Sequence, residues 1–363
     1  MKKEAGIHAL HRVVSDKGLN AVSSRYVGPL IGNGEISLFL DENGVMHDYA
    51  PLPGRPSPRL YWAGRRLRPE RRPMVPFGYF TALPSWEWLE SKRWSQSLDP
   101  RTGIVSTVHE RAAGREETET WLLLDRNLIA VHKHIERLRG SASLDFRYRL
   151  CHSGGPGLPE GVSLRGGGAD EAGAWIDYRL DGVVRHLGRI ALWADKPCAA
   201  DVRDNELRLT IPLGADADDV TVYLAFADDL GDEMFYRHTG WLGRHADHPM
   251  LAPVIRDLHG RAVTAGDAVQ TVRELRDWTR TVGWRSVRRR QTTCWKEFFR
   301  PGWIDLPDAP DVQAIWETGM YATRTQLPRW AIPVAIHGDI FKGLYFWAAM
   351  AGAKTLLQAG HWP

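Results

Sequence analysis

A chain of 363 residues with 43% hydrophobic and 25% charged residues has room for two or three domains and a large core, and its balance argues against wholesale disorder. No apolar run reaches bilayer-spanning length, and the N-terminus MKKEAGIHALHRVV has no long apolar stretch or small-residue cleavage site, so no membrane or secretory role is expected and the setting is read as cytoplasmic. The net charge of +3 comes mostly from arginine and is concentrated in RRLRPERRP (65–73) and RSVRRRQ (285–291). The first, with two prolines, reads as a solvated loop and the second as an exposed helix face; no aromatic-interleaved basic module accompanies them, so nucleic acid is not an expected partner.

From about residue 20 to 230 the signal has period two. GIVSTVHER, ETETWLLLD, NLIAVHKHIERL, ASLDFRYRL, AWIDYRL, RIALWAD, ELRLTIPL and VTVYLAFA are short runs rich in β-branched and aromatic residues, broken by DENG, DPRTG, LDRN and SGGPG. They predict a large antiparallel β domain. LFLDENGVMHDY reads as a hairpin in which Asn43 and Gly44 supply the positive φ angles of the turn. His132 and His134 fall on one face of a strand without an evident third metal ligand, and RGGGADEAG (165–173) lacks the Lys-Ser/Thr of a phosphate loop and reads as a turn. The three cysteines, Cys151, Cys198 and Cys294, are far apart and form no CxxC pair, so they read as buried thiols in a reducing compartment. Neither a cofactor nor a metal is expected.

After residue 250 the texture turns helical. AGDAVQTVRELRDWTRTVGW spaces Val269, Val272, Leu275 and Trp278 at three-residue intervals, an apolar stripe for an amphipathic helix. Trp295, Phe298 and Phe299 end the next helix, RPG breaks it, WIDLPD runs extended, and a further helix begins near Asp311, with Val312, Ile315, Trp316 and Met320 on one side and Pro328 beyond its end. Asp308 or Asp311 can cap its N-terminus. GLYFWAAMAGAKTLLQAGH predicts another helix over 342–360, closed by Gly360.

Taken in order, LIGNGEISLFLDENG (30–44), WSQSLDPRTGIVSTVHE (94–110), LLLDRNLIAVHKHIE (122–136), WKEFFRPGWIDLPD (295–308) and HGDIFKGLYFW (337–347) resemble the six-hairpin glycosidase superfamily built on an (α/α)6 barrel, in particular its maltose- and kojibiose-phosphorylase-like glycoside hydrolases. The resemblance implies a mainly β fold with C-terminal helices: an N-terminal super-β-sandwich over 1–250, a helical linker over 251–305 and the truncated start of an (α/α)6 barrel over 306–363. It implies a fragment of a glycoside hydrolase that acts on oligosaccharides by acid-assisted inverting cleavage, with the catalytic acid beyond the end of the chain and the fragment inactive alone. Phosphorolysis of a disaccharide is the alternative within the class, and a non-catalytic β-sandwich that binds carbohydrate or a partner the alternative outside it.

The candidate substrate contacts are His337, Asp339, Lys342, Tyr345 and Trp347, where an aromatic face can stack on a pyranose while charged groups satisfy its hydroxyls. Tyr345, Phe346 and Trp347 fit a core helix as well. The family's acidic residue after the aromatic pair is replaced by Ala348 and Ala349, which weakens any transfer of substrate preference. With the remaining barrel helices missing, Trp316, Trp330, Phe346 and Trp347 lose neighbours, which favours pairing as a homodimer or with the remainder of a split chain.

Overall fold

The structure, a computed structural model, describes residues 12–15, 28–46, 60–63, 74–84, 91–111, 114–136, 143–152, 157–181, 185–214, 217–229 and 266–326. Its centre is a nine-stranded antiparallel sheet. In spatial order the strands are β1 (Arg12–Ser15), β7 (Ser91–Asp99), β8 (Ile104–Arg111), β9 (Arg115–Leu122), β10 (Leu128–Glu136), β17 (Ala217–Asp228), β14 (Arg185–Ala194), β13 (Gly173–Asp181) and β12 (Val162–Asp170). Two four-stranded sheets lie over its inner face. One runs β15 (Ala199–Arg203), β16 (Glu206–Pro212), β11 (Ser143–Arg149), β6 (Tyr79–Pro84), and the other β2 (Leu30–Gly32), β3 (Ile36–Phe39), β4 (Leu60–Ala63), β5 (Met74–Pro76). All eight runs with period two are strands, and together they make the expected sandwich.

Alternation and burial agree strand by strand. In β11 the residues Leu144, Phe146 and Tyr148 are buried and their neighbours half-exposed, because only one face of that strand meets the core. β10 and β17 are instead buried almost continuously along Leu128–Lys133 and Val220–Ala227, since the centre of the large sheet is covered on both sides. Inward, Ile129, Val131, Val222, Leu224 and Phe226 join Trp62, Phe77 and Phe146 of the smaller sheets in one core. Outward, Leu128, Ala130, Trp121, Trp193 and Tyr223 meet two helices, α1 (Ala268–Val282) and α2 (Trp284–Phe299).

Asp267 caps α1 by accepting from the backbone N–H groups of Val269 and Gln270 at 2.9 and 3.0 Å. The stripe it buries is Ala268, Val272, Leu275 and Thr279. This follows the true 3.6-residue period; Val269 and Trp278, part of the expected three-residue stripe, rotate to its edges. Gly283, at φ 71°, ends α1 and leads directly into α2. The arginine run of α2 is only partly a solvated face, because Arg288 pairs with Glu119 at 2.6 and 2.8 Å and Arg290 with Asp125 at 2.8 and 3.0 Å. RRLRPERRP lies outside the described residues. The helical path breaks after Phe299, runs extended through 303–306, and enters α3 (Pro310–Gln326), as the sequence predicts; the helix expected over 342–360 lies outside the described residues. No helix among the described residues is long and apolar enough to cross a membrane.

Four local readings change. RGGGADEAG is not a turn: its glycines belong to β12, where Gly168 faces the Trp175 ring so closely that a Cβ would approach it to 2.7 Å, and the turn is confined to Glu171 and Ala172. The burial pattern of α3 is also different. It buries Gln313, Ala314, Glu317, Met320 and Tyr321 and leaves Val312 and Ile315 53% and 68% exposed, because polar contacts hold its other side against the sandwich. Cys151 and Cys294 are buried thiols, but Cys198 is only half-buried.

The fourth change concerns the turn of residues 41–45. Gly44 has φ 73°, yet Asn43 does not share a positive φ; its backbone N–H donates to Asp41 Oδ1 at 2.8 Å, and Val45 N–H reaches the same oxygen at 3.2 Å. The turn fits into a polar trough on the large sheet. Gln96 donates to the Asp41 carbonyl (2.7 Å), Trp94 to that of Glu42 (2.7 Å) and Thr120 to that of Gly44 (2.5 Å), while a Cβ on Gly44 would come within 2.7 Å of Thr107 Oγ1.

Burial, and secondarily Glu42, push the Asp41 carboxyl up from 3.8 to about 7. The folded protein therefore holds this proton at pH values where the unfolded chain has lost it. The stabilisation is fully present below about pH 4 and is lost as pH rises through about 7. Asp41→Asn keeps the acceptor oxygen without titrating. Between pH 5 and 8 the wild-type thermal midpoint is expected to fall relative to that of Asp41→Asn; parallel profiles would show that Asp41 ionises normally.

Candidate functional site

The Gly32-Asn33-Gly34 segment joins β2 to β3 and is where the sandwich meets α3. Asn33 uses both ends of its side chain. Oδ1 accepts from the backbone N–H groups of Glu35 and Ile36 at 2.9 and 2.8 Å, and Nδ2 donates to the carbonyls of Leu123 and Arg126 at 3.3 and 3.1 Å and to Asn127 Oδ1 at 2.9 Å. Asn127 in turn donates to Glu35 Oε2 at 2.9 Å. Asn33 thus locks the turn between β9 and β10 to the start of β3.

The last turns of α3 complete the junction. Tyr321 donates to the Leu30 carbonyl (2.8 Å), Arg324 to those of Asn33 (2.7 Å) and Leu124 (3.3 Å), and Gly34 N–H to the Thr325 carbonyl (3.2 Å). Gly32 must be glycine for that approach, since a Cβ would come within 2.6 Å of the Thr325 carbonyl oxygen. Burial raises the Tyr321 hydroxyl pKa, so it remains a donor.

Closer to the middle of α3, Glu317 is fully buried. Its Oε1 accepts from Arg101 Nε and Nη2 at 2.9 and 2.6 Å and from Gln313 Nε2 at 2.7 Å. Beside this pair Trp295 stacks on Tyr321 at 4.8 Å within a cluster containing Leu124, Cys294, Phe299 and Met320. Gly103 (φ 62°) abuts the Trp295 indole, so the 99–103 turn that carries Arg101 is seated directly against α2.

The sequence-predicted contacts His337, Asp339, Lys342, Tyr345 and Trp347 lie outside the described residues. The described part fixes the helix that precedes them. Glu317, Arg101 and Arg324 escape a sequence reading, because a Glu on a helix or an Arg in a turn looks like solvated surface until its partner, far away in the chain, is known. Asn33 left one trace, the G-N-G triplet.

His132 and His134 do share a face, as their spacing predicts. His132 is buried, stacks on Trp284 at 3.7 Å and meets Thr221 at 3.1 Å, while His134 meets Asp219 at 2.9 Å. Among the described residues no group of three His, Cys, Asp or Glu side chains could hold a metal ion.

This architecture is similar to that of a protein assigned as a kojibiose phosphorylase from the human microbiome, with a TM-score of 0.55 and 9% identity over 87% of this chain and 41% of that one. Weaker likenesses are to a bacterial glucoamylase solved with acarbose (TM-score 0.40, 8% identity, 87% of this chain and 44% of that one) and to the family GH92 α-mannosidase of Bacteroides thetaiotaomicron (0.30, 10%, 85% and 40%). No family model matches the sequence, and no curated protein does. The chain spans less than half the length of these solved structures. At this identity the likeness is one of fold alone: a large antiparallel sandwich followed by helices.

Arg101→Ala leaves Glu317 buried without its cation. The expected cost is roughly 3 kcal/mol, the lower end for a broken buried pair, because Arg101 is itself half-exposed and screened by water. Arg101→Ala combined with Glu317→Gln should recover part of it. Chemical denaturation of both variants checks this; equal stability of Arg101→Ala and wild type would show that the pair does not hold α3.

Proposed function

We propose that this chain is the sandwich-bearing part of a glycoside-active enzyme that cleaves oligosaccharides with inversion, the general acid lying outside these 363 residues. The observation that carries the reading is the shared fold over 87% of the chain. In this reading residues 1–250 are the sandwich, 251–305 a linker and 306–363 the first helices of the barrel. The apolar, exposed Val312 and Ile315, on the side of α3 away from the sandwich, support it, since further helices of a barrel would cover them.

Inverting cleavage needs a carboxylic acid to protonate the leaving oxygen and an activated water on the opposite face of the sugar. The chain's own share is positioning. α3, anchored at Asn33 and Glu317, leads into residues 337–347, where His337, Asp339 and Lys342 hydrogen-bond substrate hydroxyls and Tyr345 and Trp347 present aromatic faces to the ring.

The 363-residue chain alone is expected to release no sugar from aryl glucosides or disaccharides. In a longer protein that carries the complete barrel, Asp339→Asn should lower kcat/KM by roughly 10²-fold while the thermal midpoint stays within error. Wild-type kcat/KM in that variant would make the loop structural and remove the site assignment.

A further inference from the structure

Away from this junction, a cleft of about 170 Å³ opens between α1 and the outer face of β13 and β14. Its polar lining is Asp170, Arg189, Arg273 and Arg276, with Trp175 as a wall. Gly168 of β12 leaves room for the Trp175 ring, since a Cβ there would approach it to 2.7 Å.

The charges do not balance inside it. Arg189 is held by Asp177 at 2.6 and 2.7 Å and lies over the Trp175 ring at 5.4 Å. Arg276 reaches the lining carboxylate, Asp170, only at 3.4 Å, and its Nε is buried with no hydrogen-bond partner among the described residues. Among the same residues the Arg273 guanidinium hydrogen-bonds only the neutral Gln270, at 3.5 Å. Arg273 and Arg276 stand one turn apart on the same side of α1, so both guanidinium groups can converge on one ligand. A buried donor left unpaired is costly, and a guanidinium fork matches the two oxygens of a carboxylate or phosphate.

We propose that this cleft binds a small ligand bearing an oxyanion, a phosphate or a carboxylate, taken by Arg273 and Arg276 and framed by Arg189 and Trp175. The proposal is independent of the glycosidic reading. Asp170 is displaced from Arg276 or shares it when the ligand enters.

The test is the thermal midpoint of the full 363-residue chain titrated with inorganic phosphate, with glucuronate and with glucose, at ionic strength held constant with chloride. Wild type should show a saturable rise with phosphate, glucuronate or both, and none with glucose. Which anion acts separates a phosphate site from a carboxylate site. Arg273→Gln with Arg276→Gln should weaken the response about tenfold or more. Arg273→Gln alone, at an exposed position, and Val269→Glu, which sets a carboxylate in the lining, should each weaken it without lowering the ligand-free midpoint. No saturable response to either anion, an equal response to glucose, or an undiminished response in Arg273→Gln and Val269→Glu would overturn the proposal.

Discussion

The central sheet is apolar on both faces where Leu128–Val131 of β10 runs beside Val222–Ala225 of β17, and this constraint organises the molecule. Leaving either face in water would expose large contiguous apolar area. The inner face is covered by the two small sheets and the outer face by α1 and α2, so these helices are a second cover for the sheet as much as a connection to α3. α3 is held differently. Beside the apolar cluster of Leu124, Met320 and Tyr321, it is tied to the sandwich by directed hydrogen bonds and an ion pair, and its most exposed apolar residues lie elsewhere on its surface.

Polar groups within the sandwich serve register. Gln96, Thr107, Thr118 and Thr120 make a hydrophilic trough in an otherwise apolar face, and the 41–45 turn offers carbonyls in the matching places. Lys133 is buried in the same region and satisfied by Glu116 at 2.5 Å and Thr118 at 2.8 Å. Hydrophobic burial is non-directional and would tolerate a shifted sheet, whereas each unsatisfied buried donor costs enough to disfavour one.

The same division between apolar and polar contacts decides how much of the fold is legible in the sequence. Strands such as β11, with one buried face, declare themselves by alternation, and the break at RPG with Pro310 at the head of α3 sets helix limits by local sterics. The glycine-rich β12 is not legible, because its strand character comes from pairing with β13 and from the space Trp175 needs, neither of which is a local preference. The inner side of α3 is misread for a related reason. Val312 and Ile315 look like core by period, but the direction of burial is decided by Arg101 and Leu30, more than 200 residues earlier. Of the candidate sugar contacts only the preceding frame is described, and its key residue, Asn33, acts through partners about 90 residues away.

A helix docked by hydrogen bonds and one buried ion pair gains less free energy than one docked by an apolar seam of equal area, since desolvation offsets much of the attraction. It gains orientation instead. Tyr321, Arg324 and Thr325 each meet a specific backbone group of β2, the β2–β3 loop or the β9–β10 loop, so a rotation of α3 by one residue would strand several buried donors together. Catalytic geometry is sensitive to displacements of about 1 Å. A polar joint that admits one arrangement is therefore better suited than a slippery apolar one to holding the chain where it leaves Gln326 for the residues proposed to meet the sugar.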